Sequence, residues 1–449
     1  MAIACQKSFL RWAIGLAAFA DASAATLRVP SEYPTINEGL DAAAPGDTVL
    51  VAPGTYSDVE TRDSGLGLVS ACAFLKDGVV LRSEAGPLHT SLDRHGAVTP
   101  ATDRTIYARG LTSPATAVEG FRITGNPSEA TAVRIQEFPA LGAVTFRNCV
   151  FEDLESTGTG VGALHALFAS AAVYDCVFRN CHGLSIGALG QGEAHLTVED
   201  CLFENCSPTA LRCEGSSFLA ETLVVRNSIF RNNSSPSSGG AIVANNYDGG
   251  VVIESCVFEG NRASSEGGAI LAIANGPIQL RGNVFIDNRA EGETFSVGGA
   301  VVLANGVGWL AVVEGNTFIA SHQDHPSGGA ALRTGAGAIV RSNVFAGSTG
   351  APAVYVVNGL TEERCNLFWN NAAGDAVGFT PDSTDVFADP QFCNPDAGDF
   401  TVSSTSPCAP GNSPYCEQIG ALGVGCGLIS IEPMSWGRLK ARFRGNAEE

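Results

Sequence analysis

The chain has 449 residues, of which 26 are basic and 46 acidic, for a formal net charge of −20. A surface of that sign repels nucleic acid and anionic lipid. Only 16% of the residues are charged, 45% are hydrophobic and 53 are glycine, which fits short apolar runs punctuated by turns in an all-β chain.

Residues 1–24 read as a signal peptide. Lys7 and Arg11 flank a short apolar run from Trp12 to Ala20, and Ala22-Ser23-Ala24 offers small residues for cleavage, placing the mature N-terminus at Ala25. The run is too short to span a bilayer, and no other stretch is long and apolar enough, so no transmembrane segment is expected in the mature chain. Cleavage removes Lys7, Arg11 and Asp21, leaving 26 − 2 = 24 basic and 46 − 1 = 45 acidic residues, a net charge of −21. The protein is expected to be secreted or to sit on a bacterial cell surface.

Residues 25–56 read as an N-terminal cap. Thr35-Ile36-Asn37-Glu38 has the Thr-x-x-Glu capping pattern, and Ile36, Leu40 and Ala43 share one helical face. Pro45-Gly46-Asp47 ends that helix, Thr48 to Val51 is a strand, and Pro53-Gly54 is a turn. A solenoid end exposes an open core, which a capping element hides.

Residues 57–378 are assigned to the solenoid, the stretch 57–115 being irregular with long loops. Beyond it one line repeats, cleanest from Val251 to Ala272. Its phenylalanines are Phe151, Phe178, Phe203, Phe230, Phe258, Phe285, Phe318, Phe345 and Phe368, at spacings of 27, 25, 27, 28, 27, 33, 27 and 23 residues. Phe121 is assigned to an earlier, looser copy. A fixed period in the twenties is the mark of a repeat architecture. Apolar residues seven and five positions before each Phe form a strand with one buried face, as in Leu196 and Val198. Two positions before it stands a ladder of small or amide residues (Cys149, Cys176, Cys201, Ser228, Cys256, Asn283), read as a corner with left-handed backbone. Three positions after it runs a second ladder, with Cys181, Cys206, Asn233, Asn261 and Asn288. Gly-Gly-Ala then marks another corner, followed by a second short strand. About 27 residues per turn suit a triangular coil of three short strands, whereas a propeller blade needs ~40.

The chain resembles the right-handed parallel β-helix superfamily, the pectin-lyase-like fold. The stretches carrying this are Tyr33-Pro34-Thr35-Ile36 and Ala52-Pro53-Gly54-Thr55-Tyr56, similar to the entry segment of secreted β-helices. The Gly-Gly-Ala-Ile and Phe-x-x-Asn signatures resemble bacterial polymorphic outer-membrane protein repeats. Between Phe387 and Ala421 the chain resembles the closing segment of bacterial secreted β-helices. The resemblance implies an all-β, right-handed parallel β-helix solenoid with a short N-terminal capping helix and an irregular, Cys-containing C-terminal segment at 379–426. Residues 427–449, with Arg438, Lys440, Arg442 and Arg444, read as a flexible basic tail. The resemblance leaves activity open, because this fold carries lyases, hydrolases, esterases and non-catalytic adhesins alike.

Residues of catalytic type are sparse. The Asn-Thr-Asp, Asp-Asp, Gly-His-Gly and Arg-Ile-Lys signatures of polygalacturonase-type hydrolases do not stand here, nor do acidic clusters of pectate-lyase type. His322, Asp324 and His325 lie together in a corner insertion and read as solvated loop residues rather than a metal site. No metal and no cofactor are expected, calcium alone being left open. One strip has binding character. If Val133, Leu164, Leu189, Leu211 and Ile242 face inward, then Arg134, His165 and Arg212 face outward, with Glu214 two residues further on. Such a basic strip suits uronates, and the ordinary alternative is a set of exposed strand residues.

The mature chain keeps 13 cysteines, so at least one has no partner within a monomer. Cys393 with Cys408, and Cys416 with Cys426, are the expected pairs, because each closes a short loop. Cys181 and Cys206 share a ladder position in adjacent turns, so they pair as a ladder disulfide or remain small buried thiols. Three functions fit: a non-catalytic exported β-helix binding polysaccharide or other cell-surface components, a lyase or hydrolase acting on an acidic polysaccharide, or a structural spacer.

Overall fold

The computed structural model describes residues 24–94, 103–125, 131–136, 142–156, 162–183, 189–192, 195–215, 222–247, 249–292, 297–306, 308–325, 328–335, 337–357 and 359–426. The proposed signal peptide, the basic tail and the residues between these ranges lie outside the described residues.

Three sheets of 13 strands each run the length of the molecule. Each coil contributes one short strand to each sheet, and each strand pairs in parallel with its copies in the preceding and following coils. One antiparallel pair, Glu60–Asp63 with Leu68–Phe74, departs from this in the third sheet. The molecule is a right-handed parallel β-helix. The first coil is closed by the expected helix, Ile36–Ala42, where Thr35 Oγ1 accepts from the Glu38 backbone N–H at 3.2 Å. Ile36 and Leu40 of that helix are buried in the main core.

The core is an apolar column with a single aromatic file. From Phe151 to Phe368 the repeat phenylalanines stack face on face, with ring centroids 4.4 to 5.4 Å apart. Parallel pairing at ~4.8 Å per coil sets that spacing. Phe121 is buried but is not the first member of the file: Ile123 pairs with Phe151 and holds the inward position, so Phe121 falls at the corner.

Both ladders form. In the first, the Asn283 backbone N–H donates to Asn316 Oδ1 at 2.9 Å, Asn316 to Asn343 at 3.0 Å and Asn343 to Asn366 at 3.1 Å. In the second, the Asn233 N–H donates to Asn261 Oδ1 and the Asn261 N–H to Asn288 Oδ1, both at 3.1 Å. The left-handed backbone lies one residue earlier than the sequence pattern suggests. Asn148, Asp175, Asp200 and Asn227 have φ of 49°, 55°, 55° and 48°, which frees the next side chain to bond along the axis. The Gly-Gly corner is required by space. Gly267 has φ of +61°, and a Cβ on Gly268 would lie 2.3 Å from the carbonyl oxygens of Arg289 and Gly299.

The closing segment returns across the C-terminal coils. Val402, Cys408, Cys416 and Ile419 bury against Val344, Ala346 and Leu367. Two disulfides pin it, Cys365–Cys416 and Cys393–Cys426. The pairs expected from loop length, Cys393–Cys408 and Cys416–Cys426, therefore do not form. Cys416 meets the last coil rather than its own loop, and Cys408 is sealed as a free thiol inside that small apolar cluster. Cys181 and Cys206 are also free and buried, so the ladder disulfide is absent. The reason is visible in the hydrogen bonds. Each thiol points to a carbonyl of the preceding coil, Cys181 to Phe151 O and Cys206 to Phe178 O, both at 3.6 Å. Asn233 Nδ2 uses Phe203 O in the same way. The cysteines thus fill amide positions in the ladder.

Candidate binding site

The third sheet forms one long face. Ile106, Val133, Leu164, Leu211 and Ile242 are fully buried in the core. By strand alternation the next residue of each strand faces outward. Pairing register makes those residues a single column: Tyr107, Arg134, His165, Gly190, Arg212, Val243, Leu271, Val302, Arg333 and Tyr355. Arg134, His165 and Arg212 therefore stand in line as the sequence suggests, and Glu214 lies in the next outward column.

These four residues do not form one uniform strip. Arg212 is matched by its own strand, because Nε donates to Glu214 Oε1 at 2.8 Å and Nη2 lies 2.7 Å from the same oxygen. That pair is neutral overall. Arg134 donates through Nε only to the neutral amide Gln136 Oε1, at 3.1 Å. Burial pulls its pKa below the ordinary guanidinium value, while Tyr107 acts in the opposite direction; an arginine remains charged regardless. His165 is held down to a pKa of about 4, first by burial and then by the positive charges of Arg134 and Arg104. It is therefore a neutral imidazole at neutral pH. Its Nδ1 is sealed from solvent and has no hydrogen-bond partner among the described residues. Arg104 and Tyr107, on the strand Asp103–Arg109, are themselves buried. The result is a guanidinium, Arg134, without a carboxylate partner among the described residues beside a neutral imidazole, an arrangement that favours an anionic oxygen at Arg134.

Elsewhere on the coil, arginines are matched with acids. The second sheet carries an alternating outer file in which Arg179 meets Glu204 at 3.1 Å, Arg231 meets Glu204 at 3.4 Å, and Arg231 meets Glu259 at 3.0 Å. Against that pattern Arg134 is an exception. A cavity of about 490 Å³ lies at the corner after the second sheet, lined by Ser207, Ser234, Ser264, Arg262 and Glu291 among others. There Arg262 is paired with Glu291 at 2.9 Å, so the wall carries no uncompensated cation from that residue. His322 is likewise satisfied, with Nε2 2.8 Å from Asp324 Oδ1 and Nδ1 2.8 Å from Thr349 Oγ1. Among the described residues no group of three or more His, Cys, Asp or Glu is placed to hold a metal.

Sequence reasoning missed Tyr107, Arg104, Arg333 and Tyr355. Thr105 to Ala108 is readable as a strand, and aligning it one coil before Val133 would have brought Tyr107 into the column. Arg333 and Tyr355 follow from extending the same alignment past Ile242.

Residues 109–285 match the family model for a right-handed β-helix region. Two solved structures were found similar to the chain, the A-modules of the mannuronan C-5 epimerases AlgE6 and AlgE4 of Azotobacter vinelandii. Each is 14% identical to this chain and covers 79% of it and 95% of its own length, with TM-scores of 0.43 for AlgE6 and 0.36 for AlgE4. No curated protein sequence matches the chain.

Proposed function

We propose that this protein is an exported β-helix that binds an acidic polysaccharide along the outer face of its third sheet, at a cell surface or outside the cell. One observation carries the reading. Among the described residues Arg134 has no carboxylate partner, and it adjoins His165, an imidazole that is neutral at neutral pH. A uronate carboxylate would supply the anionic partner that the planar guanidinium fork lacks, and would lie beside the His165 ring. Arg212 contributes less, because Glu214 already neutralises it. Export rests on the sequence of residues 1–24. The mature chain screened on a glycan array, with and without calcium, tests the reading. Retention of uronate-containing glycans, and not of neutral ones, is expected.

A second reading, a lyase, is favoured by the ionisation of His165. A neutral imidazole beside an arginine has the parts for proton abstraction next to a carboxylate. The carbon–hydrogen bond adjacent to the carboxylate would break to His165, and its electron pair would form a carbon–carbon double bond. The glycosidic carbon–oxygen bond would break in turn, its oxygen taking a proton from a donor such as Tyr107. Unsaturated uronate in a digest of polygalacturonate or alginate, lost in His165→Gln, would promote this reading over simple binding.

A further inference from the structure

The outward column of the third sheet does not end its charge at Arg212. After Val243, Leu271 and Val302, all buried, it resumes with Arg333 and then Tyr355. This mirrors the other end, where Tyr107 precedes Arg134 as its neighbour in register. Of the three arginines in the column, Arg212 is matched by Glu214. Arg333, like Arg134, makes no ion pair within the described chain, and its Nε is sealed from solvent without a hydrogen-bond partner. On a coil whose other arginines mostly face carboxylates, two unmatched arginines on one file are a departure from the electrostatic pattern of the fold.

We propose that Arg333 and Tyr355 form a second anion subsite on the same face, and that an acidic polymer is held at both ends of the column at once. The proposal rests on the polysaccharide-binding reading of Arg134 and His165 and adds its length requirement. Register from Arg134 to Arg333 passes through seven coil steps, which at ~4.8 Å each place the subsites ~34 Å apart. Between them the file holds the buried Val243, Leu271 and Val302 and the neutral Arg212–Glu214 pair. That stretch supplies no spare cation to hold a carboxylate. A short oligomer therefore occupies either end separately, whereas a chain long enough to span the column engages both. Joining the two contacts in one ligand raises the effective concentration at the second site, and the gain in apparent affinity is on the order of 100-fold.

The test uses the full mature chain titrated calorimetrically with galacturonate trimer and with polygalacturonate at low salt. Two trimers per chain are expected, with the polymer binding far more tightly. Arg333→Ala should reduce the trimer stoichiometry from two to one and bring the polymer's affinity down toward that of the trimer. Arg333→Lys, which keeps the charge, should retain the second site in weakened form. One trimer per chain in the unmodified protein, with polymer affinity unmoved by Arg333→Ala, would overturn the second subsite while leaving the Arg134 site standing. Loss of all binding in Arg134→Ala, with none remaining at Arg333, would do the same. Failure of the unmodified chain to bind the polymer would overturn both readings.

Discussion

Arg134 and His165 are paired in register on adjacent strands of the third sheet, a permanent cation beside an imidazole kept neutral by burial and by that cation. A carboxylate bound between them reverses the balance and favours the imidazolium. Because the free His165 has a pKa of about 4, binding a uronate raises it, and the complex takes up a proton in the interval between the two values. Affinity should therefore increase as pH falls from 7 to 5. Calorimetric titration at pH ~5.5 in two buffers of different ionisation enthalpy measures the uptake; equal heats in both buffers would count against the site, and His165→Gln should abolish the difference. In the free chain the sign is separate. The unfolded state gains a proton near 6.5 and the folded state only near 4, so stability from this group is present above 6.5 and is lost as pH falls toward 4.

The aromatic file makes a local stability prediction. Phe258 lies between Phe230 at 5.1 Å and Phe285 at 4.9 Å and is fully buried. Phe258→Ala should destabilise by ~3–5 kcal/mol. Contacts in a solenoid join only neighbouring coils, so hydrogen exchange should rise chiefly in the strands Ile229–Arg231, Val257–Glu259 and Val284–Ile286. An unchanged melting profile would be inconsistent with the observed register.

The amide ladder ends in an acid. The Asn366 backbone N–H donates to Asp385 Oδ1 at 2.7 Å, and Glu363 accepts from Asn366 Nδ2 at 2.8 Å. Burial and the adjoining Asp385 raise Glu363 to a pKa of about 8. The unfolded chain releases this proton near 4.5 and the folded chain only near 8, so the C-terminal coil loses stability as pH rises through that interval. Asp385→Asn should make the slope shallower by ending the carboxyl–carboxylate contact, the part due to burial remaining. A melting series from pH 5 to 9 in both proteins decides it, and parallel curves would contradict the shared proton.

Oxidation should be confined to the closing segment. Non-reducing peptide mapping is expected to return Cys365–Cys416 and Cys393–Cys426, with the other nine cysteines of the described residues as thiols. Burial raises Cys256 to about 12 and Cys408 to about 11, so alkylation of either should require unfolding. The disulfides join residues 51 and 33 apart in sequence, loops for which the chain-entropy treatment gives about 4 kcal/mol each. Reduction should loosen the closing segment before the coils.

The coil was legible because its chemistry repeats: Phe258 predicts Phe285, and Asn261 predicts Asn288, through spacing alone. The outward placement of Arg134, His165 and Arg212 followed from the same periodicity. The tail has no period, so loop length was a poor guide to Cys416, whose partner Cys365 lies in the last coil. The difference between Arg134 and Arg212 was hidden as well. Both are arginines at one register position, and only the geometry of Gln136 and Glu214 separates an unmatched cation from a neutral pair.

The central claim is that Arg134 and His165 receive the carboxylate-bearing part of an acidic polysaccharide. The most direct measurement is the affinity of the mature chain for polygalacturonate and for alginate over a salt series, compared with that of Arg134→Ala. Binding that weakens with salt and falls about 10-fold or more in Arg134→Ala is the predicted result, as expected for losing a charge-assisted hydrogen bond. Affinity for either polymer that is the same in the two proteins at every salt concentration would contradict the account.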